Sequence, residues 1–266
     1  MEARDTILAT YDRLAAKLSA QYDTTSIEQT FPHLATRLPR LKALDVGCGN
    51  GRDAEWLAKQ GYTVRAIDGS EGMLAEARFK HSHERITYGH DLLPELANTR
   101  AKGESYDLIL LSAVWMHIHP TRRAEALDNL MSLANPGALI LMSLRHGTVP
   151  ADRPMFEVSP QELQQLSAPR LMHFEHVPNS AKGADTLGRS DVWWEDVYLR
   201  LPATHVSGLA TIRHDILGSR MNSPHKPVLL LALQRALSQA PVEYPTAASL
   251  AVSSKEVVRH WQALYG

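Results

Sequence analysis

The chain has almost no cysteine, almost no net charge and no long apolar run. Cys48 is the single cysteine among 266 residues, which leaves no internal disulfide to form and fits a reducing cytoplasm. No Cys/His spacing suggests a structural zinc, and no metal is expected. With 28 Lys and Arg against 29 Asp and Glu, charge argues against a general affinity for polyanions. No stretch approaches about 18 uninterrupted apolar residues, so a membrane span is not expected. The opening Met1-Glu2-Ala3-Arg4-Asp5 puts charges where a signal peptide needs an apolar core. Internal repeats and low-complexity tracts are missing too. The apolar fraction of 44% is that of an ordinary globular protein. The length holds one α/β domain of about 200 residues and a small appendage.

What is present is concentrated in Ala43-Leu44-Asp45-Val46-Gly47-Cys48-Gly49-Asn50-Gly51-Arg52-Asp53. An apolar run ends in an acid, and three alternate glycines precede a helical pattern. Gly47, Gly49 and Gly51 let the backbone at a strand end approach a ligand closely, the nucleotide-binding start of a doubly wound α/β domain. A dinucleotide fingerprint requires G-x-G-x-x-G, but Arg52 stands three residues after Gly49 and Ala54 three after Gly51. A diphosphate wants amide donors and no nearby anion. Asp45 instead suits the ammonium and sulfonium of S-adenosyl-L-methionine, which becomes the expected cofactor.

Further acids follow at successive strand ends. Asp68 ends Thr63-Val64-Arg65-Ala66-Ile67 and is placed to accept hydrogen bonds from both ribose hydroxyls. Asp91, after Arg85-Ile86-Thr87-Tyr88, is either an acceptor for the adenine amino group or a surface acid or helix cap. Ser70 and Met73 at the next helix entry, Leu92 beside Asp91, and Ser112 after the fourth strand complete the candidate cofactor set.

With these motifs the chain resembles the class I S-adenosylmethionine-dependent methyltransferases over roughly residues 1–202. The resemblance also rests on Tyr106-Asp107-Leu108-Ile109-Leu110-Leu111-Ser112-Ala113-Val114-Trp115-Met116-His117 and on Leu133-Ala134-Asn135-Pro136-Gly137-Ala138-Leu139-Ile140-Leu141. It is similar to the small-molecule branch around tellurite-resistance and ubiquinone-type enzymes. The resemblance implies a Rossmann-like, doubly wound seven-stranded sheet, six strands parallel and the last antiparallel, with the cofactor across the strand C-termini.

Strand–helix alternation from residue 42 onward agrees with a parallel sheet. Strands are expected near 42–47, 63–67, 85–88, 106–112, 138–144, 170–177 and 191–201, and helices near 51–60, 70–80, 121–134 and 160–167. Residues 4–20 read as an amphipathic helix through Ile7, Leu8, Tyr11, Leu14, Ala15 and Leu18. The expected domains are a helical lid segment over 1–40, the cofactor-binding domain over 41–202 and a small helical region over 203–266. Asn179 to Asp185 reads as the last hairpin connection.

Acceptor-side chemistry should lie after strands four and five and in the last hairpin. His117 is either a proton acceptor at neutral pH or a buttress for the loop before Pro120. Arg145 is either a clamp for an anionic acceptor or a salt bridge at the sheet rim. Tyr22, Trp115 and His146 are the acceptor-side candidates, with Tyr11 a second lid residue. Ala113, His119, Arg189 and Trp193 are further residues of interest. After strand four, Ser112-Ala113-Val114-Trp115 lacks the Asn/Asp-Pro-Pro-aromatic motif of nucleic-acid amino-methylating enzymes, and no Pro-Cys pair is present.

The expected activity is methyl transfer to oxygen, nitrogen or sulfur of a small-molecule acceptor in the cytoplasm. The alternative is a cofactor-sensing or DNA-associated module whose C-terminal region binds nucleic acid. Residues 203–266 carry 6 basic against 3 acidic residues, where 1–202 carry 22 against 26. The loop Ser219–Pro227 and apolar helix Val228–Leu237 are similar, over a short stretch, to a segment of bacterial restriction-type endonucleases, with no nuclease motif beside it. Ser253-Ser254-Lys255-Glu256 reads as a capping box for a last helix. A small-molecule acceptor ranks above nucleic acid as partner, no membrane is expected, and the oligomeric state stays open between monomer and homodimer.

Overall fold

The computed structural model describes residues 3–31, 41–178, 185 and 187–202. The expected elements over 203–266 and most of the 179–185 connection lie outside the described residues. Among the described residues no helix is long and apolar enough to cross a membrane.

Seven strands form one sheet: β1 (Lys42–Val46), β2 (Thr63–Asp68), β3 (Ile86–His90), β4 (Tyr106–Leu111), β5 (Ala134–Gly147), β6 (His173–Val177) and β7 (Val192–Arg200). Their order is β3-β2-β1-β4-β5-β7-β6. β7 runs antiparallel to both neighbours, and the other pairings are parallel. This is the mixed seven-stranded sheet that the resemblance implied. Strand order reverses between β1 and β4, which opens a crevice at their C-terminal ends.

Alternation along the strands builds a core on each face. Leu44, Val46, Ile109, Leu111, Ile140, Met142 and Leu144 pack on one side with Trp115, Leu127 and Leu130. Ala43, Leu108, Leu110, Leu139 and Leu141 pack on the other with Ala54, Leu57 and Tyr62. Burial on both faces explains why residues 108–111 of β4 form a continuous apolar run.

The helices are α1 (Ala3–Tyr22), α2 (Ile27–Thr30), α3 (Arg52–Lys59), α4 (Glu71–Lys80), α5 (Ala97–Arg100), α6 (Arg123–Ser132) and α7 (Pro160–Ser167). Ala15 and Leu18 of α1 close on Met73 of α4, with Tyr11, Leu14 and Tyr22 at the edge. Asp12 adds polar anchors, its Oδ1 accepting from the Ser70 hydroxyl at 2.6 Å and the Gly72 amide at 2.9 Å.

Two local readings differ from expectation. β5 begins at Ala134 rather than near 138, because Ala134 already pairs with Tyr106 and the register shifts before Leu108. Asn135-Pro136-Gly137, read as a turn, is thus an irregularity inside the strand. The short α2 and α5 were not expected. At four residues each they lack a period to read, although Ser26 and Gln29 form a reciprocal capping box on α2.

Candidate active site

A cavity of about 280 Å³ opens at the C-terminal ends of β1 and β4, beneath α1. That volume sits at the lower end of the roughly 300–1,000 Å³ usual for small-molecule sites. Asp45, Gly47, Gly49, Asp68, Met73, Asp91, Leu92, Ser112, Tyr11, Tyr22, His117, Arg145 and Arg189 all line it. Gly51, Ser70, Trp115, His146 and Trp193 do not.

The turn after β1 places Gly47 at φ +68° and Gly49 at φ +55°. This left-handed backbone is strained for residues with a Cβ. A Cβ on Gly47 would come 2.5 Å from Val114, whereas one on Gly49 would meet Met73 and Tyr22 at an ordinary 3.5 Å. Asp68 holds the turn: its Oδ2 accepts the Gly49 amide at 2.9 Å and its Oδ1 the Ser70 amide at 2.8 Å. Burial pushes the Asp68 carboxyl up to about 6, against these amide bonds.

Asp45 is 1% exposed, and its Oδ2 has no hydrogen-bond partner. Burial, then the nearby Asp53 and Asp68, push its carboxyl well above the ordinary carboxylate range. A buried acid of this kind fits a cationic ligand. Arg52 compensates part of the charge through Asp53 at 2.6 Å, and also donates to the Tyr22 carbonyl at 3.2 Å. Asn50 donates to Asp23 at 2.5 Å and to the Ser19 carbonyl at 3.2 Å, which ties the end of α1 to the glycine turn.

Asp91 lines the cavity but also organises its own loop. Its Oδ1 accepts from the Leu92 amide at 2.9 Å, and its Oδ2 from the Thr99 amide at 2.6 Å and hydroxyl at 2.7 Å. Both the ligand and the cap readings of this acid therefore have a structural basis. Ser112 and Ala113 lie on the wall, where Ser143 fixes the loop by accepting the Ala113 amide at 2.9 Å.

Four placements correct the sequence reading. Gly51 faces Tyr88 rather than the cavity, so a Cβ there would strike the Tyr88 hydroxyl. Ser70 is fully buried and caps α4, accepting the Met73 amide at 3.1 Å. Trp115 is fully buried in the core against β4 and β5, out of reach of an acceptor. His146 turns to Glu195 at 3.0 Å and stacks on Trp193 with ring centroids 5.4 Å apart. The reason is strand parity: Ser143 and Arg145 face the cavity, so His146 projects to the other side. Register pairs Arg145 with Trp194 and His146 with Trp193, and Trp194 is accordingly the lining tryptophan. Tyr22 lines the cavity between the two ends, with its ring against Gly49 and its hydroxyl bonded to Tyr11.

At the opposite end, His117 Nε2 lies 3.1 Å from the Tyr11 hydroxyl and Nδ1 3.4 Å from the Pro154 carbonyl. Burial, with Arg153 and Arg145 adding to it, pushes His117 down to about 4. It is a neutral imidazole at pH 7, accepting from Tyr11 through Nε2. Both the proton-acceptor and the buttress readings had treated this histidine alone. His119 is exposed and packs edge-on against Phe156. Arg189 forms a two-point pair with Asp185, both contacts at 2.9 Å, and Asp185 also accepts from Trp194 Nε1 at 2.8 Å. Arg153, which the sequence reading missed, lies 5.8 Å from the centroid of the Tyr11 ring. It stands in an irregular loop, where no motif or period marks it.

Comparisons with known proteins agree with this geometry. Residues 43–137 match a family described as a methyltransferase domain. Hemagglutinin 1 of Eikenella corrodens is 29% identical over 152 residues, covering 56% of this chain and 50% of that protein. The probable S-adenosyl-L-methionine-dependent methyltransferase TehB of Haemophilus influenzae is 29% identical over 153 residues, covering 55% and 52%. A ubiquinone biosynthesis O-methyltransferase of Dinoroseobacter shibae is 36% identical over 106 residues, covering 39% and 40%. The chain thus spans about half the length, or less, of these curated relatives. Among solved structures, Haemonchus contortus phosphoethanolamine N-methyltransferase 2 with S-adenosyl-L-methionine aligns with TM-score 0.55 at 17% identity, covering 76% of this chain and 60% of that one. The DhpI–SAH complex aligns with TM-score 0.52 at 16% identity, covering 73% and 95%. These two likenesses establish the fold alone. Residues 43–137 are thus a match to a methyltransferase domain, set in a sheet with the fold of S-adenosylmethionine-dependent methyltransferases.

Proposed function

We propose that the protein transfers a methyl group from S-adenosylmethionine to oxygen, nitrogen or sulfur of a small-molecule acceptor. The observation that carries this is Asp45 Oδ2, a buried carboxylate oxygen without a hydrogen-bond partner on a cavity-lining residue beside the glycine turn. Such an atom is costly unless a cation or donor meets it. The cofactor's ammonium supplies both.

When bound, S-adenosylmethionine would supply an electrophilic methyl carbon on a sulfonium that leaves as a neutral thioether. Asp45 holds the amino group. Gly47 and Gly49 bring the backbone close. Asp68 accepts from a ribose hydroxyl while anchoring the turn, and Asp91 and Leu92 border the base. Ser112 and Ala113 form the wall beside the acceptor through their backbone. α1 covers the cavity through Tyr11 and Tyr22 and limits water access. His117, too weak a base to ionise an acceptor strongly, accepts the Tyr11 proton and fixes that hydroxyl. Rate enhancement then rests chiefly on positioning.

Support for a small acceptor comes from the modest cavity volume. The small-molecule enzymes among the relatives point the same way. A cytoplasmic setting belongs to the same proposal and rests on the single cysteine. Calorimetry with S-adenosylmethionine, S-adenosylhomocysteine and NAD tests the cofactor: tight binding of the first two and none of NAD is expected. Labelled methyl transfer into a metabolite extract tests the activity, and the absence of any labelled product would count against it.

A further inference from the structure

The cavity is electrically polarised along its length. Asp45, Asp53 and Asp68 stand at the glycine turn, with Arg52 paired to Asp53 and so offsetting one of these three charges, while Arg145, Arg153 and Arg189 line the other end. Arg189 is matched by Asp185 in a two-point pair. Arg145 and Arg153 are not matched in this way.

Arg145 is 8% exposed. It donates to the Thr148 carbonyl at 2.6 Å, and its other contact is the Met155 sulfur at 3.7 Å. Neither partner carries charge. Asp185 and Asp191 lie near enough to favour its charge, but no carboxylate among the described residues forms an ion pair with it. Burial, Arg189 and Arg153 all act against the Arg145 charge. Arg153 Nε is buried without a hydrogen-bond partner; it lies at ion-pair distance, 3.7 Å, from the half-exposed Asp152, and the guanidinium also bonds the uncharged Tyr11 hydroxyl. Two guanidinium groups beside one cavity, one of them nearly buried, are unfavourable without an anion. A planar guanidinium is also the side chain best shaped for carboxylate or phosphate.

We propose that Arg145 and Arg153 form an oxyanion subsite which holds a carboxylate or phosphate group of the methyl acceptor. This rests on the methyltransferase reading above and specifies its substrate class. Arg153 lies over the Tyr11 ring, and Tyr11 is hydrogen-bonded to His117, so the anchored group sits next to that pair. The two ends of the cavity then take ligands of opposite charge: the cationic donor at the acids and the anionic acceptor at the arginines. The remaining alternative is that these arginines serve the cofactor's own carboxylate.

The full chain, saturated with S-adenosylhomocysteine, is titrated by calorimetry with benzoate, with inorganic phosphate and with benzamide as an uncharged control. Saturable binding of at least one anion and none of benzamide is expected. Arg153→Gln and Arg145→Gln should each weaken that binding tenfold or more, with S-adenosylhomocysteine affinity kept within threefold. Arg153 lies in a loop, so its variant carries the test if Arg145→Gln does not fold. No saturable anion binding, or anion affinity unchanged in the variants, overturns the proposal. A tenfold loss of S-adenosylhomocysteine affinity in both variants overturns it in favour of the cofactor carboxylate. Failure of the unaltered protein to bind S-adenosylhomocysteine is a separate result, which removes the underlying reading and this one with it.

Discussion

Asp68→Asn probes the cofactor assignment at the residue where geometry and titration meet. The carboxylate has roughly four acceptor positions. The Gly49 and Ser70 amides take two, at 2.9 and 2.8 Å, and the Gly69 amide bears on the carboxylate as well, which leaves room for a ribose hydroxyl. Asparagine keeps the size and one acceptor oxygen, but loses the charge and turns an amino group toward former acceptor positions. Hydrogen bonds to a charged group contribute about 1.5–3 kcal/mol, so affinity should fall by roughly 10- to 150-fold. The pH dependence adds a second reading. Asp68 titrates near 6 in the free protein because burial disfavours its charge. A hydroxyl donor favours the ionised form, so binding below pH 6 must expel the proton. Affinity of the unaltered protein then falls by up to about tenfold per pH unit below that point. The variant lacks this proton, so its slope of log Kd against pH should be smaller by about one. Asp45 also titrates high, and the Asp68 charge is one of the causes, so Asp68→Asn lowers Asp45 as well; both effects flatten the slope, and the sign of the change is the criterion. Calorimetry with S-adenosylhomocysteine at pH 4.5, 5.5 and 7.5 measures both quantities. An unchanged dissociation constant with an unchanged slope would refute the ribose assignment. Asp68→Ala is the poorer probe, since it also removes the anchor of the glycine turn.

Gly49→Val should abolish cofactor binding and lower stability by about 1–2 kcal/mol for a side chain forced to positive φ. Melting temperature and affinity measured together separate this from a purely structural glycine, for which affinity would survive in the folded fraction. Ser70→Ala removes the α4 cap and the Asp12 contact, and should cost about 1 kcal/mol in denaturant unfolding. S-adenosylhomocysteine affinity should change less than fivefold, and a hundredfold loss would return Ser70 to the binding set. His117 should titrate near 4 by NMR. Because its unfolded value is near 6.5, its contribution to stability is lost as pH falls from 6.5 toward 4. A measured value of 6.5 would contradict the burial argument. Deleting 203–266 should keep cofactor affinity within about tenfold, or 1.4 kcal/mol, because the described lining residues run from Arg4 to Trp194. A folded truncation without cofactor affinity would move the domain boundary.

Features set by local chemistry were legible in the sequence. The glycine turn, the acids ending β1 and β2, and the alternation of strand and helix each depend on neighbours within a few residues. A strand end followed by alternate glycines has few other backbone solutions. The amphipathic period of α1 likewise announced a helix with one buried side. Which face a strand residue presents was another matter. Arg145 was read as facing the acceptor, but so was its neighbour His146, and Trp193 was named where Trp194 lines the cavity; each error is a single step of parity, which β7 settles only by pairing with β5. Trp115 and Ser70 read as site residues by proximity in the chain, yet core packing and helix capping claim them. Arg153 and Asp12 carried no local signal, because their partners Tyr11 and Ser70 are far away along the chain. Sequence alone marked the glycine turn and the acids that follow β1 and β2, because each is a local strand-end feature. Only tertiary structure decided the acceptor end, because its charges converge from α1, β5 and the loops beside β5 and β7, and their balance exists only once those elements meet.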